Sequence, residues 1–309
     1  MEIKKYTIGI DLGGTNTKIA LVAANGRIVR RTQFPTKAHK DKPALINAIA
    51  SEAFGIIKLC GLKKSQVQGI GIGVPGLVDS KRGVVHYLTN ISGWKHVNLS
   101  RELEKKTGIK TRVDNDVNLM ALAEARFGAG RDSASLFCVT LGTGVGGGIV
   151  IDGEIYRGNT QSAGEIGHIS VDPEGPKCNC GRKGCVEAYV GNSYVVKRAE
   201  QKMRKKGITP EQITKAAKKG DRAAMDIWKE TAEYLGRGLV IVINLFDPET
   251  IVIGGGMIGA GEFIFKPLRG YIRKNALIVP AARVKIVKAK LGNNAGVIGA
   301  AELARGMGN

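Results

Sequence analysis

No apolar run in the sequence reaches the roughly 20 residues that a membrane-spanning helix needs. The longest, such as Leu239 to Phe246, fall well short, so no membrane partner is expected. The opening MEIKKYTIGID carries neither the apolar core nor the small-residue cleavage site of a signal peptide, and a cytoplasmic setting is the expectation. Cysteine is scarce and odd in number, five in 309 residues, which argues against a secreted disulfide framework. Acidic residues are outnumbered, 27 against 47 Lys+Arg, for a formal net charge of +20. That balance favours an anionic partner such as a nucleotide, polyphosphate, nucleic acid or acidic lipid, without choosing among them.

Glycine, in contrast, is abundant: 43 residues, about twice the usual share. The length suits about two domains and a core that needs no disulfide or metal to fold. Strand patterns cover Tyr6 to Asp11, Lys18 to Val22 and Ile28 to Phe34. Helical spacing follows over Lys42 to Cys60, with Pro43 suited to its first turn. Gln68 to Val74 is a strand, Leu99 to Thr107 a helix closed by Gly108, and Lys110 to Val113 a strand ending at Asp114-Asn115-Asp116. The pattern continues with a helix from Asn118 to Phe127, strands at Leu136 to Leu141 and Gly148 to Ile151, a mostly helical stretch from Glu187 to Phe246, and a strand at Thr250 to Ile253.

Two segments repeat one design. Ile8-Gly9-Ile10-Asp11-Leu12-Gly13-Gly14-Thr15 parallels Phe137-Cys138-Val139-Thr140-Leu141-Gly142-Thr143-Gly144, each a strand, a polar residue, Leu and a glycine/threonine turn. The pairing points to an internally duplicated two-domain protein. Glycines there would let backbone N–H groups approach phosphate oxygens, although one such turn alone is only a turn.

Asp11-Leu12-Gly13-Gly14-Thr15-Asn16-Thr17-Lys18 resembles the first phosphate motif of the ROK (repressor, open reading frame, kinase) family of sugar kinases. Gly73 to Asp79, Asn115 to Asn118, Leu141 to Gly148, Gly164 to His168 and Cys178 to Glu187 are similar in order and spacing to the family's other motifs. The resemblance implies an α/β, actin-like ATPase (ribonuclease H-like) duplicated two-domain fold with an interdomain cleft. Residues 1–116 would form a small N-terminal α/β domain completed by a helix at about 295–309, and 117–294 a large α/β domain with a zinc-binding loop. It further implies ATP and Mg²⁺ as requirements, a hexose as acceptor, and a homodimer or homotetramer.

The resemblance makes Asp116 the general base. The competing reading is that Asp114, Asn115 or Asp116 caps the following helix; beside the other motifs the catalytic reading prevails for Asp116, and Asp114 is left structural. Asp11 is expected to hold Mg²⁺ through water, or else to form an Asx turn. Gly13, Gly14 and Thr15 would form one phosphate clamp and Thr143 and Gly144 the second. Gly254, Gly255 and Gly256 would face the adenosine or simply make a sharp turn. By resemblance the sugar ligands are Gly76, Asn90, Asn115, Asp116, Glu165, His168 and Glu187.

Three thiols, Cys178, Cys180 and Cys185, together with the imidazole of His168 make a closed tetrahedral set suited to structural Zn²⁺, with no position open for water activation. A disulfide plus a free thiol is the disfavoured alternative. Cys60 and Cys138 stand in apolar contexts as core thiols.

The site set is similar to that of the family's bacterial glucokinases, so the 6-hydroxyl of D-glucose is the expected acceptor. N-acetylglucosamine, N-acetylmannosamine, fructose and mannose remain alternatives, decided by the loops at Thr89 to Trp94 and Gly158 to Ala163. ATP is expected over polyphosphate as donor. A sugar-responsive repressor is disfavoured, since the first strand begins by Tyr6 and leaves no room for a helix-turn-helix. Nucleic-acid binding through Lys197 to Lys206, or through 266–290 with its lack of acidic residues, is set against a plain solvated lysine face.

Overall fold

The computed structural model describes residues 6–39, 41–88 and 93–306. The chain begins with β1 (Tyr6–Leu12), β2 (Asn16–Ala23), β3 (Ile28–Pro35), α1 (Lys42–Leu59), β4 (Val67–Val74), β5 (Gly76–Asp79), β6 (Val84–Leu88) and β7 (Lys95–Asn98). Next come α2 (Leu99–Thr107), β8 (Thr111–Asn115), α3 (Asp116–Phe127), β9 (Ser135–Leu141), β10 (Val145–Ile151) and β11 (Glu154–Tyr156). The rest comprises α4 (Glu187–Val190), α5 (Asn192–Lys202), α6 (Pro210–Lys218), α7 (Arg222–Phe246), β12 (Thr250–Gly254), α8 (Glu262–Asn275), α9 (Ile278–Arg283), β13 (Lys285–Lys288) and α10 (Ala295–Arg305).

Two compact units result: Met1–Arg131 with Gly153–Ala163 and Lys290–Asn309, and Asp132–Asp152 with Gly164–Ala289. In the first, the sheet order is β3-β2-β1-β4-β8. β2 runs antiparallel to β1 and β3, while β1, β4 and β8 are parallel. Alternation along β2 explains how both faces are covered. Ile19 and Leu21 join α1 residues such as Ile49 and Ile56, whereas Ala20 and Val22 pack on Val297 and Ala301 of α10. Ile8, Ile10 and Ile72 are fully buried, each contributing about 2 kcal/mol of transfer free energy. Helix α10 is buried nearly all round because its residues are small. Its approach requires a missing side chain on the sheet, since a Cβ at Gly71 would run into the Ala300 carbonyl.

The same packing draws α3 into the first unit, and Arg157 ties the 153–163 segment to Asp114. The boundary expected at 116/117 therefore lies beyond α3, and the first unit is not the smaller of the two. Helix α1 starts as its residues suggested, with Asp41 accepting from the Ala44 N–H at 2.8 Å ahead of Pro43. The antiparallel sheet β5-β6-β7 was not legible, because its short strands mix polar and apolar residues and bury few of them, unlike the equally short but apolar β12.

In the second unit the order β10-β9-β12-β13 repeats the scheme: β9 and β10 are an antiparallel hairpin, and β12 lies parallel to β9 and β13. Helix α7 is capped by Asp221 and buries Ile227, Thr231, Leu235, Leu239 and Val242 on one stripe. No described helix is long and apolar enough to cross a membrane.

Candidate active site

In the first unit the β1–β2 hairpin closes through the Gly13 N–H, which donates to Asn16 O at 3.1 Å. Thr36, unremarked in the sequence, braces it: its hydroxyl donates to Gly13 O at 2.7 Å, its N–H donates to Thr15 O at 2.9 Å, and Thr17 Oγ1 lies 2.9 Å from Thr36 Oγ1. Gly13 and Gly14 are half-buried and Thr15 is exposed, so the turn faces solvent from a rigid base. Asp11 and Lys18, cross-strand neighbours, pair at 3.3 Å. Lys18 therefore offsets the charge of Asp11 in this structure.

The strand-to-helix junction from β8 to α3 separates the three residues of Asp114-Asn115-Asp116. Asn115 is the N-cap, with Oδ1 accepting from the Val117 and Asn118 N–H groups at 2.8 and 3.3 Å. Its Nδ2 donates to Gly76 O at 3.2 Å, joining two of the expected sugar ligands. Asp114 is buried and structural: Arg157 Nε and Nη2 both reach its Oδ2 at 2.7 Å. Capping thus falls to Asn115, and half-buried Asp116 stands in the first turn of α3. Asn90 lies outside the described residues.

In the second unit the β9–β10 turn closes through the Gly142 N–H donating to Gly144 O at 3.0 Å, with Thr143 exposed. Beside it, Gly255 has φ 92, and a Cβ there would meet the Leu141 carbonyl. Gly255 therefore has to be glycine, and the turn it makes after β12 lies against the end of β9. A cavity of about 270 Å³ opens next to this turn, lined by Lys215 and Lys218 of α6 and by Gly256 and Met257; no motif in the sequence marks α6 as a wall.

Glu165, the residue before a 3₁₀ turn at Ile166–His168, sits close enough to His168 and Glu187 for their charges to act on it. Its carboxyl is held above the ordinary 4.5, first by lost hydration, while His168 pulls it down and Glu187 pushes it up. Although Glu165 is exposed as a whole residue, the shielding of its acid group decides the direction. Glu187 Oε2 accepts from the Val145 N–H at 2.9 Å and its Oε1 faces Cys178 Sγ at 3.8 Å. The expected sugar ligand Glu187 thus links the second glycine turn to the cysteine loop.

The ligand atoms of His168, Cys178, Cys180 and Cys185 all lie within 4.8 Å of one another. Sγ of Cys180 and Cys185 are 3.7 Å apart, and Cys178 Sγ is 3.9 Å from His168 Nδ1. Bonds of about 2.3 Å at tetrahedral angles demand roughly 3.8 Å between sulfurs, so the four groups fit a tetrahedral metal centre and not a disulfide. Burial pushes the Cys178 thiol up to about 12, the state a cation would reverse by binding thiolate. His168 turns Nδ1 to the cluster. Of the other two thiols, Cys138 is buried and Cys60 is partly buried against the first core.

Two sheets of one strand order, each opening with a glycine-closed hairpin, define the actin-like ATPase fold. A family model described as ROK family matches residues 7–307, and the chain belongs to that family. It is 38% identical to the glucokinase of Halalkalibacterium halodurans over 96% of this chain and 93% of that one. With the glucokinase of Thermotoga maritima it shares 34% identity over 97% of each chain. Among solved structures, a ROK family glucokinase from Streptomyces griseus, in complex with glucose and AMPPNP, superposes with a TM-score of 0.81 at 36% identity, covering 97% of this chain and 99% of that one.

Proposed function

We propose that this chain is an ATP-dependent glucokinase that transfers the γ-phosphoryl group of ATP to the 6-hydroxyl of D-glucose. The observation that carries the reading is the near full-length similarity to glucokinases together with a glycine-closed hairpin at the head of each sheet.

In this reading the sugar is held by Gly76, Asn90, Asn115, Glu165, His168 and Glu187, whose short polar groups match hydroxyls. Asp116 accepts the 6-hydroxyl proton as that oxygen bonds to the γ-phosphorus and the bond to the β-phosphate oxygen breaks, releasing ADP. Gly13, Gly14 and Thr15 of the first unit and Thr143 and Gly144 of the second are assigned to the phosphates, and the turn at Gly254 to Gly256 with the Met257 cavity receives the adenosine. Mg²⁺, when bound, offsets phosphate charge; Asp11 is the residue that would hold it, and its partner Lys18 keeps that carboxylate in place meanwhile. Zn²⁺ suits the Cys₃His set and is structural, since four protein donors complete its shell. It would fix the loop between His168 and Glu187 and leave His168 Nε2 for the sugar.

A coupled ADP-release assay over a panel of hexoses and N-acetylhexosamines, repeated with polyphosphate as donor, tests the proposal. Glucose should give the highest kcat/KM with ATP; absence of glucose-dependent ADP release, or a faster N-acetylated sugar, refutes it. Asp116→Asn should lower kcat by at least about 10³-fold while glucose binding is kept, and near-normal turnover removes Asp116 from the base role.

A further inference from the structure

The loop from Arg157 to Ala163 supplies none of the residues assigned above, yet its side chains grip two of the segments that carry them. It closes on itself, with the Ala163 N–H donating to Arg157 O at 3.0 Å and the Gln161 N–H to Gly158 O at 3.4 Å. At one end Arg157 grips Asp114 Oδ2 with two nitrogens at 2.7 Å. The other oxygen of that buried carboxylate accepts from the Asn115 N–H at 2.7 Å and from Asn118 Nδ2 at 3.0 Å. Asp114 thereby accepts four hydrogen bonds, one of them from the Asn115 N–H, which ties the carboxylate to the backbone entering α3.

At the other end Gln161 uses both halves of its amide. Oε1 accepts from the Ser80 N–H at 2.7 Å and the Ser80 hydroxyl at 2.6 Å, and Nε2 donates to Asp79 Oδ1 at 2.8 Å. Its backbone sits at φ 61, a region an unbranched L residue adopts only when surrounding bonds hold it. Asp79 ends β5, which begins at Gly76, and the Gly76 carbonyl accepts from Asn115 Nδ2. The contacts therefore form a closed ring: Gln161, Asp79 and Ser80, β5, Gly76, Asn115, Asp114, Arg157 and back through the loop.

We infer that Arg157 and Gln161 are positioning residues for the sugar site of the first unit, setting the Gly76 carbonyl and the Asn115–Asp116 junction in register with one another. The inference rests on the glucokinase reading for which residues meet the sugar; the ring itself does not. Gln161 is the only type that fits: glutamate would keep the acceptors for Ser80 but set a second negative charge against Asp79 and lose the donor, and asparagine is one methylene short. Arg157 acts through its fork, which a lysine reproduces only as a point charge.

The test uses the full-length enzyme with Gln161→Ala, Gln161→Glu, Arg157→Ala and Arg157→Lys. Steady-state ADP release should give a glucose KM raised about tenfold in Gln161→Ala, the loss of roughly one well-formed hydrogen-bonded contact, and at least as much in Gln161→Glu. KM for ATP should stay within about twofold of wild type, a split that general loosening of the fold would not produce. Arg157→Ala should lower kcat, with part of the loss restored by Arg157→Lys. Amide hydrogen exchange gives a second readout. In Gln161→Ala, protection should fall at Val117 and Asn118, which Gln161 does not touch but whose N–H groups Asn115 holds. An unchanged glucose KM in Gln161→Ala overturns the positioning role. Should the wild type release no ADP with any sugar, the glucokinase reading fails, and exchange alone decides the ring: faster exchange at 117–118 upholds it, and change confined to 79–82 overturns it.

Discussion

Glu124 offers the sharpest test of how α3 is held. Its carboxylate is fully buried and accepts three backbone N–H bonds: Ala129 at 2.8 Å and Lys290 at 3.1 Å on Oε2, and Leu291 at 2.8 Å on Oε1. One side chain thus anchors the end of α3, the turn after it and the segment leading into α10. In Glu124→Gln the amide oxygen can keep the Ala129 and Lys290 bonds, but the NH₂ then confronts the Leu291 N–H. One charge-assisted bond is lost and one buried donor is stranded, a cost of about 2–3 kcal/mol. Glu124→Ala strands all three donors and opens a cavity, for about 5 kcal/mol or more. The two tryptophans make the assay local, because Trp94 lies in the first core and Trp228 is buried in the second unit. In urea denaturation of Trp228→Phe and Trp94→Phe backgrounds, Glu124→Gln should lower the transition seen by Trp94 by that amount, with less effect at Trp228. A Trp94 transition within about 0.5 kcal/mol of the parent would refute the assignment of Glu124 as anchor.

Cys180→Ser should reduce bound zinc from about one per chain to well below half, measured by metal analysis after dialysis against a weak chelator; a wild type without zinc rejects the site outright. Asp79 carries a carboxyl held below its ordinary 3.8, first by the Arg82 N–H and then by the Gln161 amide. A lowered pKa adds stability above pH 3.8 that is lost as pH falls through the folded value. The small thermal-midpoint gap between wild type and Asp79→Asn should therefore be constant from pH 8 to 5 and close below about pH 4; a gap that widens on acidification contradicts the sign. Gly71→Ala places a methyl group against the Ala300 carbonyl and should cost at least about 2 kcal/mol, read as a fall in the denaturation midpoint, whereas a neutral substitution would show that α10 can shift.

Much of the fold was legible because it repeats. β1 and β9, with their glycine turns, announce themselves as buried strands followed by residues chosen for backbone approach, and α1, α2 and α7 carry their stripes and caps in local order. The metal set was equally plain, since three cysteines within eight residues constrain one another before any folding. Illegible were the short strands β5 to β7, whose four or five residues hold no period, and the division of the chain, where α3 follows α10 and not its neighbours in sequence. Within the site, Asp114, Asn115 and Asp116 could not be told apart by type; Arg157, 41 residues or more away in sequence, distinguishes them by claiming Asp114.

By itself the sequence determined which groups are present: three thiols beside an imidazole in motif order, glycines at the two hairpin turns, and carboxylates and amides in the motif segments. Those are properties of side chains and of local spacing. The tertiary structure alone decided which polar groups are consumed in holding the frame, such as Glu124, Asp114 and Gln161, and which of the three residues at the head of α3 becomes its cap. That choice depends on partners brought from distant parts of the chain, because a buried polar group must be satisfied by whatever the fold places beside it.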